Sequence, residues 1–334
     1  MCIVSYSKKK SYNSKKKLLE FFANPTPKWA FVEITNACSH KCAWCYGEFN
    51  QDKMDYMSLP EFKTLASKAK EIGIRQITLS GGEPTEHPEF LRILEHACSM
   101  GFDVNVATHG DWTRNWAEEF AKYGVKQVQF NYQGKKHHDG VHQVKSYDAQ
   151  LQAIHDIKET DIDIVGMVTI GKYNIKEIPT LFNELDALEV SRIRVSDTMG
   201  YGLPFMKDRT AEEIFAICEK EAGKLGYDYI QSYDPLIEGD IGIPCIALSK
   251  ILMYVTSDSS LIYCGYVPSE RGIAYANFTN DSVDKIKDRH MNYIESKNCG
   301  KPYCMARNDG HGPHDPILET PIIMEYQYNA QNSR

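Results

Sequence analysis

The chain has 334 residues, 42% hydrophobic and 25% charged, with a net charge of −7; this is a globular composition, sized for a barrel plus an appendage, and its acidic balance argues against a general nucleic-acid surface. No stretch reaches the roughly 18 uncharged apolar residues of a membrane span, and no apolar h-region marks the start as a signal peptide. Ten cysteines without an export signal point to reduced thiols and metal ligation in a cytoplasmic setting rather than to disulfides.

Residues 1–27 carry Lys8, Lys9, Lys10, Lys15, Lys16 and Lys17 against Glu20, which reads as a solvated basic arm leading to a short helix over Lys16 to Phe22. From Trp29 the pattern alternates. Strands are expected at 29–35, 75–79, 103–108, 125–132, 162–170 and 191–197. Helices are expected at 58–72, 88–100, 113–123, 147–158, 175–187 and 210–225. Six βα units with short links read as an α/β chain with a parallel sheet and outer helices.

Alternate residues of a strand point to opposite faces. Val32, Ile34, Ile77, Leu79, Val104, Val106, Val128, Phe130, Ile193 and Val195 define an apolar face. Glu33, Thr35, Thr78, Ser80, Asn105, Gln129, Asn131, Arg194 and Ser196 define a polar one, with Met167 and Thr169 inward on a mixed fifth strand. A filled barrel packs branched apolar side chains inside, so a polar inner face implies an open cavity. After residue 250, two apolar runs, 251–255 and 261–263, flank a polar turn and read as a β-hairpin. A helical stretch from Ser282 to Ser296 follows.

Two motifs carry chemistry. Cys38, Cys42 and Cys45 form C-x3-C-x2-C directly after the first strand. Three thiolates on one loop can hold three irons of a 4Fe–4S cluster and leave the fourth open to a ligand. Structural zinc takes four ligands, and His40 is the one local rival for such a role. Trp44 is placed to cover the cluster or stack on a bound base. About 40 residues on, Ser80-Gly81-Gly82-Glu83-Pro84 ends a strand and precedes a helix. Its glycines let the backbone approach a ligand closely.

These motifs resemble the signature of the radical S-adenosylmethionine (radical SAM) superfamily. The resemblance implies a partial (β/α)6 TIM-type barrel and an open iron that chelates SAM. It implies reductive cleavage of SAM to a 5′-deoxyadenosyl radical that abstracts a hydrogen atom. The Ser80 to Glu83 segment is similar to the turn whose backbone pairs with the methionine amino group. Thr108-His109-Gly110 stands where relatives often show Thr-Asn-Gly, so His109 is a candidate acid/base, substrate contact or structural histidine. Asn131, Thr169, Asn174, Arg194 and Ser196 match positions near the SAM nucleoside or carboxylate. His138-Asp139 resembles a loop of the SPASM/twitch subgroup.

Cys245, Cys264, Cys299 and Cys304, with the hairpin and helix between them, resemble a twitch domain holding a second, auxiliary 4Fe–4S cluster; structural zinc on the same thiolates is the alternative. Cys2 is incidental, and Cys98 and Cys218 read as buried helical side chains. The organisation expected is a 1–27 arm, a 28–228 barrel, a 229–310 twitch-like domain and a 311–334 tail. The resemblance implies a flavodoxin- or ferredoxin-type electron donor and a peptide or small-molecule substrate, with ribosomal-peptide modification ahead of sugar, aminocyclitol or nucleotide chemistry. The 27 residues before the barrel leave no room for a winged-helix peptide-recognition domain, and no cobalamin domain is visible. An electron carrier needs neither the glycine turn nor a polar lumen.

Overall fold

The computed structural model describes residues 3–8, 26–45, 47, 49, 54–171, 173–197, 211–232, 250–265 and 273–297. In chain order its strands and helices are β1 (Ile3–Ser7), β2 (Trp29–Thr35), α1 (Leu59–Ile72), β3 (Gln76–Gly81), α2 (Phe90–Ser99), β4 (Asp103–Thr108), α3 (Ala117–Tyr123), β5 (Gln127–Asn131), α4 (Gly134–His142), α5 (Tyr147–Lys158), β6 (Asp163–Ile170), α6 (Ile178–Ala187), β7 (Arg192–Asp197), α7 (Ala211–Lys224), β8 (Asp228–Ser232), β9 (Leu252–Val255), β10 (Ser260–Ile262), β11 (Ala276–Asn277) and α8 (Val283–Lys297). The described strands form one sheet in the order β11-β10-β9-β2-β3-β4-β5-β6-β7-β1-β8. Strands β2 to β7 run parallel in sequence order, the βα progression expected of a partial barrel.

Local chemistry sets the helix ends. Ser58 caps α1 in a capping box with Glu61, and Gly73 closes it in the left-handed conformation, φ 105°; a glycine takes that conformation without a Cβ penalty. The buried face of α1, with Leu59, Phe62, Leu65, Ala66, Ala69 and Ile72, lies on the sheet's apolar side. All ten residues assigned to the apolar strand face join one buried core with it. The polar face is buried on β2, β3 and β4 and half-buried at Asn131, Arg194 and Ser196, and it bonds to itself. Trp29 Nε1 donates to Thr78 Oγ1 at 2.9 Å, Arg194 Nη1 to Gln129 Oε1 at 3.2 Å, and Gln129 Nε2 to Gln127 Oε1 at 2.9 Å.

Two departures from expectation here have physical causes. Residues 3–8 are not a solvated arm. β1 lies antiparallel between β7 and β8, and Tyr6 is fully buried against Phe182, with ring centroids 5.9 Å apart. The alternation in Ile3-Val4-Ser5-Tyr6-Ser7 is masked by the lysines after it; Lys8 pairs with Asp186 and lies over the Tyr227 ring. The helix expected over Lys16 to Phe22 lies outside the described residues. Helix α4 was not expected, because Gly-Lys-Lys-His-His-Asp-Gly has no apolar period.

The expected hairpin forms, with Leu261 opposite Val255, but it is not a separate sheet. β9 runs parallel beside β2, and Tyr254 stacks on Phe31 at 5.0 Å. Lys68 of α1 ties this unit down by donating to the carbonyls of Phe278, Thr279 and Asp281 at 2.6, 3.2 and 2.7 Å. Among the described residues no helix is long and apolar enough to cross a membrane.

Candidate active site at the cysteine loop

The cysteine loop leaves the C-terminal end of β2, the end where barrels of this kind carry chemistry. Its backbone is held from two sides. Gly82 N–H donates to Thr35 O at 2.8 Å and Glu83 N–H to Ala37 O at 2.7 Å, which docks the glycine turn on the start of the loop. Lys41 and Ala43 N–H donate to the His142 and Val141 carbonyls, which docks the far side on the end of α4. Gly81 has φ 138°, and a Cβ on Gly82 would stand 2.1 Å from the Ala37 carbonyl oxygen. The close approach that requires glycine here is therefore to the cysteine loop itself.

Glu83 is fully buried. Its Oε1 accepts from Thr85 N, Thr85 Oγ1 and Thr108 Oγ1 at 3.2, 2.6 and 2.8 Å, and its Oε2 accepts from His109 N at 2.8 Å. This carboxylate is committed to clamping the turn to the end of β4. Ser80, also buried, pairs in register with Glu33 of β2, and Tyr254 OH donates to Glu33 Oε1 at 2.5 Å.

His109 is buried and packed against the loop. Its ring stacks on His40 with centroids 3.7 Å apart. Its Nδ1 accepts from Asp111 N at 2.9 Å, so Nε2 carries the proton, facing Glu86 Oε1 at 3.4 Å. His40, His138 and His142 continue the row. Burial holds His40 down to about 3 and His138 to about 4, and holds His142 well below its ordinary value, so these three are neutral; at His109 burial is outweighed by the charges of Glu83, Glu86 and Asp111, which raise it.

Trp44 is buried beside Val141 and stacks on Tyr173 at 6.0 Å. Tyr173 OH lies 2.9 Å from Gln133 Oε1 and 2.8 Å from Thr169 O. Asn174 staples the same turn, accepting from Gly171 N and donating to Thr169 O. Gln133 Nε2 donates to Asn131 Oδ1 at 2.7 Å. On the inward side, Thr169 and Ser196 are paired in register, as are Met167 and Arg194. The structure thus brings together Cys38, Cys42, Cys45, Trp44, Gly81, Gly82, Glu83 and His109, with Asn131, Thr169, Arg194 and Ser196 on the later strands. Of the C-terminal cysteines, Cys264 is half-buried after β10; Cys245, Cys299 and Cys304 lie outside the described residues.

Cys38, Cys42 and Cys45 are not joined in disulfides. Burial pushes the Cys38 and Cys42 thiols far up. The charges of Glu83 and Cys42 add to the effect at Cys38, and that of Cys45 adds to it at Cys42. Thiolates in this setting need a cation to carry their charge, so the donor set fits a metal cluster. Sequence reasoning missed the support behind the loop: His142 and α4 lie about a hundred residues from Cys42, and no local pattern marks them.

Comparison with known proteins accords with this geometry. Residues 32–185 match the family model described as the Radical SAM superfamily. A PqqA peptide cyclase of Bradyrhizobium diazoefficiens is 26% identical over 223 residues, 61% of this chain and 58% of that protein. A Fe-coproporphyrin III synthase of Methanosarcina barkeri is 27% identical over 180 residues, 53% of this chain and 45% of that protein. The chain thus spans about half the length of these curated relatives. The crystal structure of Streptococcus suis SuiB bound to precursor peptide SuiA shares the fold, with TM-score 0.65 and 15% identity, over 82% of this chain and 67% of that one. With its cysteine loop, its glycine turn and its parallel strands in their expected order, the chain is similar to the radical SAM superfamily over residues 32–185.

Proposed function

We propose that this chain is a radical SAM enzyme that modifies a ribosomal peptide. The observation that carries the reading is the cysteine loop docked on the Gly81–Gly82 turn at the C-terminal end of the parallel strands. Cys38, Cys42 and Cys45 would hold a 4Fe–4S cluster, which would supply the electron for reductive cleavage of SAM and so the hydrogen-abstracting chemistry at the substrate. The chain's own part is positional. The Ser80 to Glu83 turn presents its backbone to the methionine end of SAM. Asn131, Thr169, Arg194 and Ser196 offer polar groups on the inward side of β5, β6 and β7. Trp44, braced by Tyr173, covers the loop. His109 supports the loop through His40.

The peptide substrate is supported by the relatives named PqqA peptide cyclase. The match to a Fe-coproporphyrin III synthase favours a small-molecule substrate as the second reading. An auxiliary cluster on Cys245, Cys264, Cys299 and Cys304 and a flavodoxin- or ferredoxin-type donor complete the proposal.

The test is anaerobic reconstitution with dithionite and SAM. Wild type is expected to release 5′-deoxyadenosine and methionine. The Cys38→Ala/Cys42→Ala/Cys45→Ala variant is expected to release neither, while retaining about four irons at the C-terminal site. Unchanged SAM cleavage in that variant refutes the reading. A colourless variant with one zinc would replace the auxiliary cluster by structural zinc.

A further inference from the structure

Four imidazoles stand in a row behind the cysteine loop: His109 from the end of β4, His40 from the loop, and His142 and His138 from α4. His109 stacks on His40 at 3.7 Å, His40 meets His142 edge-on at 5.1 Å, and His142 stacks on His138 at 4.2 Å. All four are buried. The SAM chemistry gives no role to His40 or His142, yet burying neighbouring imidazoles costs free energy unless their polar atoms are used.

Their hydrogen bonds settle the tautomers. His40 Nε2 lies 3.4 Å from Asp111 Oδ2. A carboxylate only accepts, so that nitrogen carries the proton and a neutral His40 presents a bare Nδ1. That Nδ1 lies 2.9 Å from His142 Nδ1. One of the two must donate, so His142 carries its proton on Nδ1. The same atom lies 3.5 Å from Cys42 Sγ. His142 Nε2 has no hydrogen-bond partner, as suits the nitrogen left without a proton.

We infer that Asp111, acting through His40, fixes the His142 proton on Nδ1, where it is shared between His40 Nδ1 and the Cys42 sulfur, and that its interaction with the sulfur raises the reduction potential of a cluster held there. A donor aimed at a ligating thiolate stabilises the more negative, reduced cluster more than the oxidised one. Asp111, His40 and His142 are then positioning residues: they act through one another on the Cys42 sulfur, and their effect is read in a potential. The inference rests on the radical SAM reading of the loop.

The test is a potentiometric titration of the reconstituted full chain, following by electron paramagnetic resonance the cluster whose reduced signal SAM perturbs, with iron and sulfide counted in each sample. His142→Phe keeps a ring and removes the donor. Asp111→Ala leaves the loop untouched but frees His40 to place its proton on Nδ1, which turns His142 into an acceptor. Both are expected to titrate at more negative potential than wild type at full iron content, with a several-fold lower reduced-to-oxidised ratio at a fixed potential. His142→Gln, which restores an N–H, is expected to recover part of the shift. Wild-type potentials in both His142→Phe and Asp111→Ala would overturn the inference. If His142→Phe cannot retain iron, Asp111→Ala decides alone. A wild-type chain with no SAM-perturbed cluster would overturn the radical SAM reading and this inference with it.

Discussion

Glu83→Gln separates two roles for the glutamate of the glycine turn. As a ligand-binding group it would need free oxygens; as a clamp it has none. The substitution keeps size and shape. Its remaining oxygen can hold Thr85 and Thr108, but the new NH2 then faces the His109 N–H, which Oε2 now accepts at 2.8 Å. Two donors are left opposed in a fully buried site. Hydrogen bonds to charged groups contribute about 1.5–3 kcal/mol, so Glu83→Gln is expected to cost about 2 kcal/mol, or roughly 3 °C in melting temperature for a chain of this size. Removing the charge also relieves its repulsion of the Cys38 thiolate, so iron content is the wrong readout; the melting temperature of cluster-free protein is the right one. A Glu83→Gln protein that melts with wild type but has lost SAM binding would refute the clamp and restore Glu83 as a ligand-binding residue.

Three further outcomes are expected. Gly82→Ala sets a Cβ against the Ala37 carbonyl and should cost about 1–3 kcal/mol or more with loss of iron, measured by melting and iron assay; Gly223→Ala, where a Cβ meets nothing, should stabilise by about 0.5–1 kcal/mol. Lys68→Met removes the donor to three carbonyls and should weaken docking of the β9–α8 unit by about 2–3 kcal/mol, seen as faster hydrogen exchange in β10, β11 and α8 before other strands. His290 is neutral in the fold: Nε2 donates to Lys250 O at 3.0 Å, Nδ1 accepts from Tyr275 OH at 2.7 Å, and burial lowers it to about 4. Because its folded value lies below its unfolded one near 6.5, the unfolded chain binds the proton first. Stability should therefore fall as pH drops from about 6.5 to about 4, by up to about 1.4 kcal/mol per pH unit, and the difference between wild type and His290→Asn in denaturant midpoints should follow that window.

Much of the barrel was legible because its signal is local. The period-two alternation in 29–35, 103–108 and 191–197 names both faces of the sheet, and burial bears out the apolar one residue by residue. The cysteine spacing and the glycine pair were legible for the same reason, since the chemistry needs them close in sequence. What was hidden depends on long-range partners. The function of Glu83 is set by Thr108, 25 residues away, and the tautomer of His142 by His40, 102 residues away. β1 looked like a tail because its partners, β7 and β8, lie nearly the length of the barrel downstream. The glycine requirement at position 82 was visible, but its cause was not: the crowding partner is the Ala37 carbonyl.

The placement of β9 has a consequence for how the protein is made. β2 carries the cysteine loop, and one of its edges is completed by a strand whose Tyr254 bonds to Glu33 across 221 residues of sequence. At about 5–20 residues per second of synthesis, that edge stays open for roughly 10 to 45 s on the ribosome. An unpaired edge is a template for wrong pairing, and the loop above it has only half its strand support during that interval. If the loop takes up a cluster as proposed, its finished setting is complete only after the C-terminal third has emerged. The long-range pairing thus leaves the newborn chain with an exposed strand edge that its local βα rhythm does not suggest.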